Sequence, residues 1–120
     1  MPQSDISSEL IRGSLDLLVL STLQDGSKYG YLIQQTLRDG SGERVRLTAG
    51  SLYPILHRLE AEGLVTARWD ETTGRRRKWY ALTASGRKQL QHRAAQWRDY
   101  VECLRNLLGP VLDALPEGSS

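Results

Sequence analysis

The sequence predicts a mainly α fold of the α+β class, a winged helix-turn-helix domain followed by a long C-terminal helix. Three observations predict it: three segments with helical spacing come first, two β-type segments joined by a turn follow, and a heptad pattern fills the last third. A chain of 120 residues supports one core. We place the winged domain in residues 1–83, the C-terminal helix in 84–115 of the same compact unit, and a disordered tail in 116–120.

The first helix is predicted over about residues 9–24, the most apolar part of the chain. Apolar residues cover most of its surface, which is typical of a helix buried on several sides, in part by a second chain. Asp16 interrupts this surface. Because a buried carboxylate is costly without a partner, we interpret it as a structural acceptor rather than a catalyst. The second helix is predicted over about 28–38, with Ser27 as its cap and the turn residues 39–42 after it.

The third helix is predicted over about residues 49–62. Thr48 suits its N-cap, and Gly63 suits the position after it, where φ is often positive. The inward positions, spaced i, i+3, i+4 and i+7, are Leu52, Ile55, Leu56 and Leu59. Pro54 is a difficulty, since it lacks the N–H that an interior helical position donates. The helix therefore either begins nearer Ser51 or begins at Thr48 and bends.

A β-hairpin is predicted over about residues 64–83. LVTARW (64–69) alternates in character, DETTG (70–74) is turn material, and RRRKWYALT (75–83) becomes strand-like. The hairpin is the wing of the predicted fold, and its second segment begins with Arg75, Arg76, Arg77 and Lys78. Near a hairpin tip, side chains on both faces of a strand can reach a polyanionic backbone.

The last helix carries a strict heptad seam through about three heptads. The seam consists of Leu90, Ala94, Trp97, Val101, Leu104, Leu108 and Val111. A narrow stripe suits packing against another helix, so we predict that this is a dimerisation helix. Gly109–Pro110 is predicted to bend or end it, with a short turn in 111–115 afterwards.

Several classes of function are disfavoured by composition and motifs. No run of about 18 apolar residues could span a membrane, and the N-terminus lacks the pattern of a signal peptide. The two histidines, His57 and His92, and the single cysteine, Cys103, form no cluster with metal-ligand spacing, and no glycine-rich phosphate loop follows a strand. We therefore predict a cytoplasmic protein that is not an enzyme and that uses no metal or cofactor.

Positive charge is concentrated in the wing and at the start of the last helix. The chain has a net charge of +2, but residues 68–93 hold eight basic residues against two acidic ones. Such a segment is either a solvated charged face or a surface for a polyanion. The outward positions of the third helix favour the second interpretation: Ser51, Tyr53, Pro54, His57 and Arg58. Most of these side chains can donate to phosphates or base edges, so the predicted partner is double-stranded DNA.

Four stretches together resemble the PadR family of bacterial transcriptional regulators: RGSLDLLVLSTL from Arg12, YGYLIQQTL from Tyr29, GSLYPILHRLEAEGLV from Gly50 and GRRRKWYALTASGR from Gly74. The match covers about residues 9–108, and the length indicates the compact class with one C-terminal helix. The resemblance implies a homodimeric winged-helix repressor whose C-terminal helix packs on the partner subunit. It also implies an inverted-repeat operator, because a two-fold protein binds two-fold DNA.

The resemblance further implies a small planar aromatic effector. Some family members are released from DNA by phenolic acids, and others bind flat aromatic drugs between the subunits, stacked on tryptophans of the C-terminal helix. The candidate effector residues here are Trp97, Tyr100 and Asp16. Tyr100 and Trp69 are weaker candidates than Trp97. Trp97 also fits simple packing on its symmetry mate, because it occupies a heptad position.

Two other functions are compatible with the sequence. The winged helix could be a protein–protein interaction module whose basic wing binds an acidic surface, although the outward Ser51 and Arg58 argue against this. Alternatively, the dimer could be a small-molecule-binding protein with weak DNA affinity.

Overall fold

The architecture consists of a helical body, a three-stranded sheet and a long last helix. A computed structural model describes residues 6–7, 11–72 and 74–116. The elements in chain order are α1 (Leu15–Ser21), β1 (Lys28–Tyr29), α2 (Gly30–Gly40), α3 (Ala49–Ala61), β2 (Val65–Asp70), β3 (Arg77–Leu82) and α4 (Ala84–Ala114). This order confirms the predicted winged helix-turn-helix fold with a long C-terminal helix.

The helix α1 is shorter than the predicted first helix. Residues 11 and 12 are helical, residues 13 and 14 form a turn before α1, and residues 8–10 lie outside the described part of the chain. Glycine at position 13 lowers the helix propensity there. At the other end, Thr22 Oγ1 donates to the Val19 carbonyl at 2.7 Å. A hydroxyl that bonds the backbone in this way competes with continuation of the helix.

The helix α2 begins at Gly30, because a short strand precedes it. Lys28 and Tyr29 form β1 and pair with Tyr80 and Trp79 of β3. The N-cap position is Tyr29, so the prediction that Ser27 caps this helix is wrong. A strand of two residues has no periodicity, which is why the sequence does not reveal it.

The helix α3 begins where Thr48 predicts. The Thr48 side chain accepts from the Ser51 N–H at 3.2 Å, and the Leu52 N–H donates to the Thr48 carbonyl at 2.9 Å. The helix continues through Pro54, so a start nearer Ser51 is wrong. It ends in a Schellman motif, in which Gly63 has a φ of 76° and the Leu64 N–H donates to the Leu59 carbonyl at 2.9 Å.

The sheet has the strand order β1-β3-β2, with both pairings antiparallel. The register of β2 and β3 places Val65 opposite Leu82 and Trp69 opposite Lys78. Residues that oppose each other share a face, and side chains two positions apart share it too. Trp69 and Lys78 therefore lie on the face that also carries the buried Tyr80.

One hydrophobic core joins the helices to the sheet. The inward residues of α3 are buried as predicted: Leu52, Ile55, Leu56 and Leu59. The core around them contains Val19, Leu20, Leu23, Ile33, Leu37, Val65 and Tyr80. The core holds α3 by one side, so the opposite side of this helix faces solvent.

The helix α4 is unbroken from Ala84 to Ala114. It does not end at Gly109–Pro110, which was one of the two outcomes that the sequence predicts, and residues 111–114 belong to it rather than to a separate turn. Proline fits the helical φ and removes only one backbone bond. From residue 100 onward α4 exposes large apolar side chains: Tyr100, Val101, Leu107, Leu108, Val111 and Leu112. Of the predicted tail, only Pro116 lies within the described residues.

Candidate nucleic-acid interface

The outward side of α3 carries the residues that the sequence singled out. Ser51, Tyr53, Pro54, His57 and Arg58 are all exposed. A helix places residues three or four positions apart on one side. Tyr53 and His57 accordingly face the wing, whereas Ser51 and Arg58 lie on the flank toward α1. The structure therefore divides the predicted set between two neighbouring surfaces.

A groove of about 820 Å³ lies between α3 and the wing, and we call it the wing groove. Tyr53 and His57 form its α3 side. The opposite side holds the four wing cations and two aromatic residues: Arg75, Arg76, Arg77, Lys78, Trp69 and Tyr80. The groove thus brings together most of the residues that the sequence predicts to bind DNA, although Arg76 follows Tyr53 by 23 positions in the chain.

The position of Tyr53 depends on a glycine in α2. A Cβ atom at Gly30 would stand 2.2 Å from the Tyr53 hydroxyl and 2.8 Å from its Cζ. Glycine at this position therefore lets the Tyr53 ring lie directly against the start of α2. Tyr53 as a whole remains 39% exposed, so its side chain is accessible from the groove.

Aromatic rings and carboxylates support the wing cations. The Arg76 guanidinium lies 4.1 Å from the centre of the Trp69 ring, and the Arg77 guanidinium lies 4.4 Å from the centre of the Tyr29 ring. Lys78 Nζ is 3.8 Å from a Glu60 carboxylate oxygen. Arg76 Nε is also 3.6 Å from a Glu71 carboxylate oxygen. The ring contacts and the carboxylates together restrict these long side chains.

The sequence did not assign these supporting roles to Tyr29 and Trp69. Trp69 appeared there only as a weak effector candidate. Its position opposite Lys78 follows once the hairpin register is known, so the signal was present in the sequence. The role of Tyr29 depends on the unpredicted β1 and could not be found from local pattern.

A second surface, which we call the α1–α4 cleft, lies on the other flank of α3 and has a volume of about 620 Å³. Asp16 of α1 accepts from the guanidiniums of both Arg58 and Arg93, the latter at 3.2 Å. Trp97 and Tyr100 pack edge to face in the same cleft, with ring centres 5.6 Å apart. The structure thus brings the three candidate effector residues to one cleft, together with Arg93, which the sequence did not single out.

Neither metal binding nor membrane insertion gains support from the structure. Across residues 6–7, 11–72 and 74–116, no group of three histidine, cysteine or acidic side chains could hold a metal ion. Within that same part of the chain, no helix is long and apolar enough to cross a membrane.

A helix-turn-helix body with a basic wing and a long terminal helix defines the class of winged helix-turn-helix regulators. Within that class, this chain belongs to the PadR-like family of transcriptional regulators, whose sequence model matches residues 19–92. The resemblance in the four sequence stretches is thereby confirmed. The family consists of regulators and not of enzymes, in agreement with the prediction.

Relatives match over most of the chain. The transcriptional regulator Rv3488 of Mycobacterium tuberculosis is 35% identical over 102 residues, which are 84% of this chain and 89% of that protein. A solved transcriptional regulator from Clostridium thermocellum is similar at a TM-score of 0.77 and 32% identity, covering 84% of this chain and 96% of its own. Bacillus subtilis PadR, solved in complex with operator DNA, is similar at a TM-score of 0.59 and 30% identity. The match covers 65% of this chain and 44% of the PadR chain.

Proposed function

We propose that this protein is a dimeric, sequence-specific DNA-binding regulator that represses transcription. The wing groove carries the proposal, because it joins the outward hydrogen-bonding residues of α3 to four cations of the wing. A surface of this composition matches the charge and the donor requirements of duplex DNA. The similarity to a PadR protein solved with operator DNA supports the same assignment.

Within this function, α3 contacts base edges and the wing contacts phosphates. Tyr53 and His57 supply hydrogen-bonding groups beside the wing, and Ser51 supplies another from the neighbouring flank of α3. Pro54 supplies an apolar contact. Arg75, Arg76, Arg77 and Lys78 supply the affinity that does not depend on sequence. Arg58 differs from the other predicted contacts, because its guanidinium already donates to Asp16. We therefore assign it no base contact.

We propose that α4 forms the dimer, chiefly through Leu90, Ala94, Trp97, Val101, Leu104 and Leu108. The exposed apolar residues beyond position 100 support this assignment, since a solvated apolar stripe on a helix is a surface for another helix. Two subunits related by a two-fold axis would bind an inverted repeat.

The second half of the proposal is that a small aromatic effector binds the protein and thereby releases it from DNA. The α1–α4 cleft supports it, because Trp97 and Tyr100 offer ring faces beside the charged group formed by Asp16 and its two arginines. If α4 forms the dimer, this cleft borders the partner subunit. A planar aromatic compound that quenches tryptophan fluorescence in the parent protein, but not after Trp97→Ala, would locate the effector there.

The proposed function is tested by selecting bound DNA from a random pool and titrating the protein onto the selected site. We expect an inverted repeat. We expect Tyr53→Ala to reduce the preference for that site over random DNA by roughly 5- to 100-fold, the value of one good base contact. Arg76→Ala should weaken binding to both DNAs equally and lower the salt slope by about one.

Arg98→Ala is the matched control, because Arg98 lies on α4 and pairs with its neighbour Asp99. It should bind like the parent protein. A folded protein that enriches no sequence, or a Tyr53→Ala variant whose loss is the same on both DNAs, would contradict the assignment. Retention of an acidic protein partner after nuclease treatment, without DNA selectivity, would favour the interaction-module alternative instead.

A further inference from the structure

Three helices meet at one carboxylate. Asp16 of α1 accepts from Arg58 of α3, 42 residues away in the chain, and from Arg93 of α4, 77 residues away. The exposed side-chain fractions are 24% for Asp16, 28% for Arg93 and 47% for Arg58. We call this group the Asp16 tether.

The tether is more than an ordinary surface ion pair. Exposed pairs contribute little because water screens the charges and long side chains lose conformational freedom. Here the carboxylate and the Arg93 side chain are largely shielded, and each oxygen of the one carboxylate accepts from a different guanidinium. Charge-assisted hydrogen bonds in such surroundings have fixed geometry and are stronger than neutral ones.

The location of the tether gives it a mechanical role. In the described residues α3 and α4 both pack on α1, whereas α3 and α4 have little direct contact with each other. Apart from the junction at which Thr83 bonds the Gly63 carbonyl, the orientation of α3 relative to α4 is therefore transmitted through α1. Asp16 is the one residue of α1 that holds both neighbouring helices by charged hydrogen bonds in the described structure.

We propose that Asp16 is a positioning residue that fixes the separation and angle between the two DNA-contacting helices of the dimer, and so determines which half-site spacing the protein accepts. The inference rests on the proposed function, in which α4 forms the dimer and α3 enters the groove. Each base pair added between half-sites moves one of them by about 3.4 Å and rotates it by roughly 35° around the duplex. If each α3 is held rigidly relative to α4, the two α3 helices of the dimer cannot move to contact both half-sites after such a shift.

The variant that tests this is Asp16→Asn, which keeps the side-chain shape and removes the charge. Affinity is measured for the selected operator and for versions with one base pair added or removed between the half-sites. We expect the parent protein to lose about tenfold or more on a changed spacing, the size of a mismatched base pair. For Asp16→Asn we expect that loss to fall to about threefold, because the tether no longer resists the adjustment.

The readout is the ratio of the affinity for the selected operator to the affinity for an operator with changed spacing. Removing a negative charge near DNA would raise both affinities alike and leave this ratio unchanged. A purely stabilising role of Asp16 would change the melting temperature and leave this ratio unaltered. Asp99→Asn is the matched control, since Asp99 is exposed and pairs with Arg98 of the same helix. It should retain the parent spacing penalty.

If Asp16→Asn does not fold, Arg93→Gln and Arg58→Gln replace it in the test. Each of these variants removes one of the two ion pairs of the tether. Both should relax the spacing penalty. A folded dimeric Asp16→Asn, or both single-arm variants, with the full parent penalty would overturn the inference, as would a parent protein that tolerates every spacing. A parent protein that selects no DNA at all would instead refute the proposed function, and with it the tether's role in DNA binding.

Discussion

Tyr80 is an unusual residue in the core. It is 1% exposed, and among the described residues no group accepts from or donates to its hydroxyl. Burial raises the pKa of the Tyr80 hydroxyl above its ordinary value, and the nearby Tyr53 and Glu60 add to that effect. The ring contributes packing, whereas the hydroxyl contributes an unmet requirement for a hydrogen bond.

Tyr80→Phe should therefore cost no stability at neutral pH and change the response to alkali. The unfolded chain ionises this tyrosine near pH 10 and the folded chain does so only at higher pH, so the parent protein loses stability as pH rises above about 10. The variant lacks this loss. Urea unfolding at pH 7 and at pH 10.5 measures the difference between the two proteins. A loss of about 2 kcal/mol or more at pH 7 would mean that the hydroxyl has a stabilising partner.

Other residues show how far single positions could be predicted. The exposure of Tyr53 and His57 follows from helical spacing alone. The sequence also identified Asp16 as a structural acceptor, but not its partners Arg58 and Arg93, since no local pattern links positions 42 and 77 residues apart. The contact between Gly30 and Tyr53 likewise depends on how α2 packs on α3.

At the scale of elements, the junction between the wing and α4 is closely built. Thr83 Oγ1 accepts from the Gly86 N–H at 2.9 Å and donates to the Gly63 carbonyl at 2.7 Å. A Cβ atom at Gly86 would stand 1.9 Å from the Leu64 carbonyl oxygen. The start of α4 is thereby held against the end of α3, and one threonine serves both elements.

Thr83→Ala should destabilise the protein by about 1–2 kcal/mol, because it removes an N-cap and leaves the Gly63 carbonyl without its donor. Thr83→Ser keeps the hydroxyl and should lose less than half of that amount. Equilibrium urea denaturation of the two variants beside the parent protein gives both values. Equal losses for alanine and serine would show that the methyl group, and not the hydroxyl, holds the junction.

At the scale of the whole molecule, α4 makes the chain elongated. The radius of gyration is 16.6 Å, and the longest dimension is 54 Å against 22 Å for the shortest. A compact chain of this length would have a radius of gyration of about 14 Å. The larger radius of gyration reflects the last turns of α4, which extend away from the core. These turns carry exposed apolar residues, and Leu107 is 79% exposed.

Leu108→Lys should convert the proposed dimer to a monomer, because it places a charge in the apolar stripe of α4 that we propose contacts the partner helix. Sedimentation equilibrium at micromolar concentration measures the mass. Glu102→Lys is the control, since position 102 lies on the side of α4 opposite this stripe. We expect it to remain dimeric. A dimeric Leu108→Lys, or dissociation of both variants, would contradict the assignment of the interface.

The resemblance of four stretches indicated the family. The sequence by itself determined the order of the four helices and the hairpin, the cap and the outward side of α3, and the basic wing. These features depend on residues close together in the chain, where spacing and propensity act directly. It could not determine that Lys28–Tyr29 is a strand or that α4 continues through Pro110. The strand depends on pairing with β3, which is distant in the chain. The continuation of α4 depends on whether the helix tolerates the one backbone bond that Pro110 removes.

Only the tertiary structure decided which side chains meet. It set Arg77 on Tyr29 and Arg76 on Trp69, placed Tyr53 over Gly30, and joined Asp16 to two arginines from distant helices. The physical reason is that hydrogen bonds and ring contacts act over a few ångströms. Residues distant in the chain acquire such contacts only after the core has fixed the helices and the sheet in place.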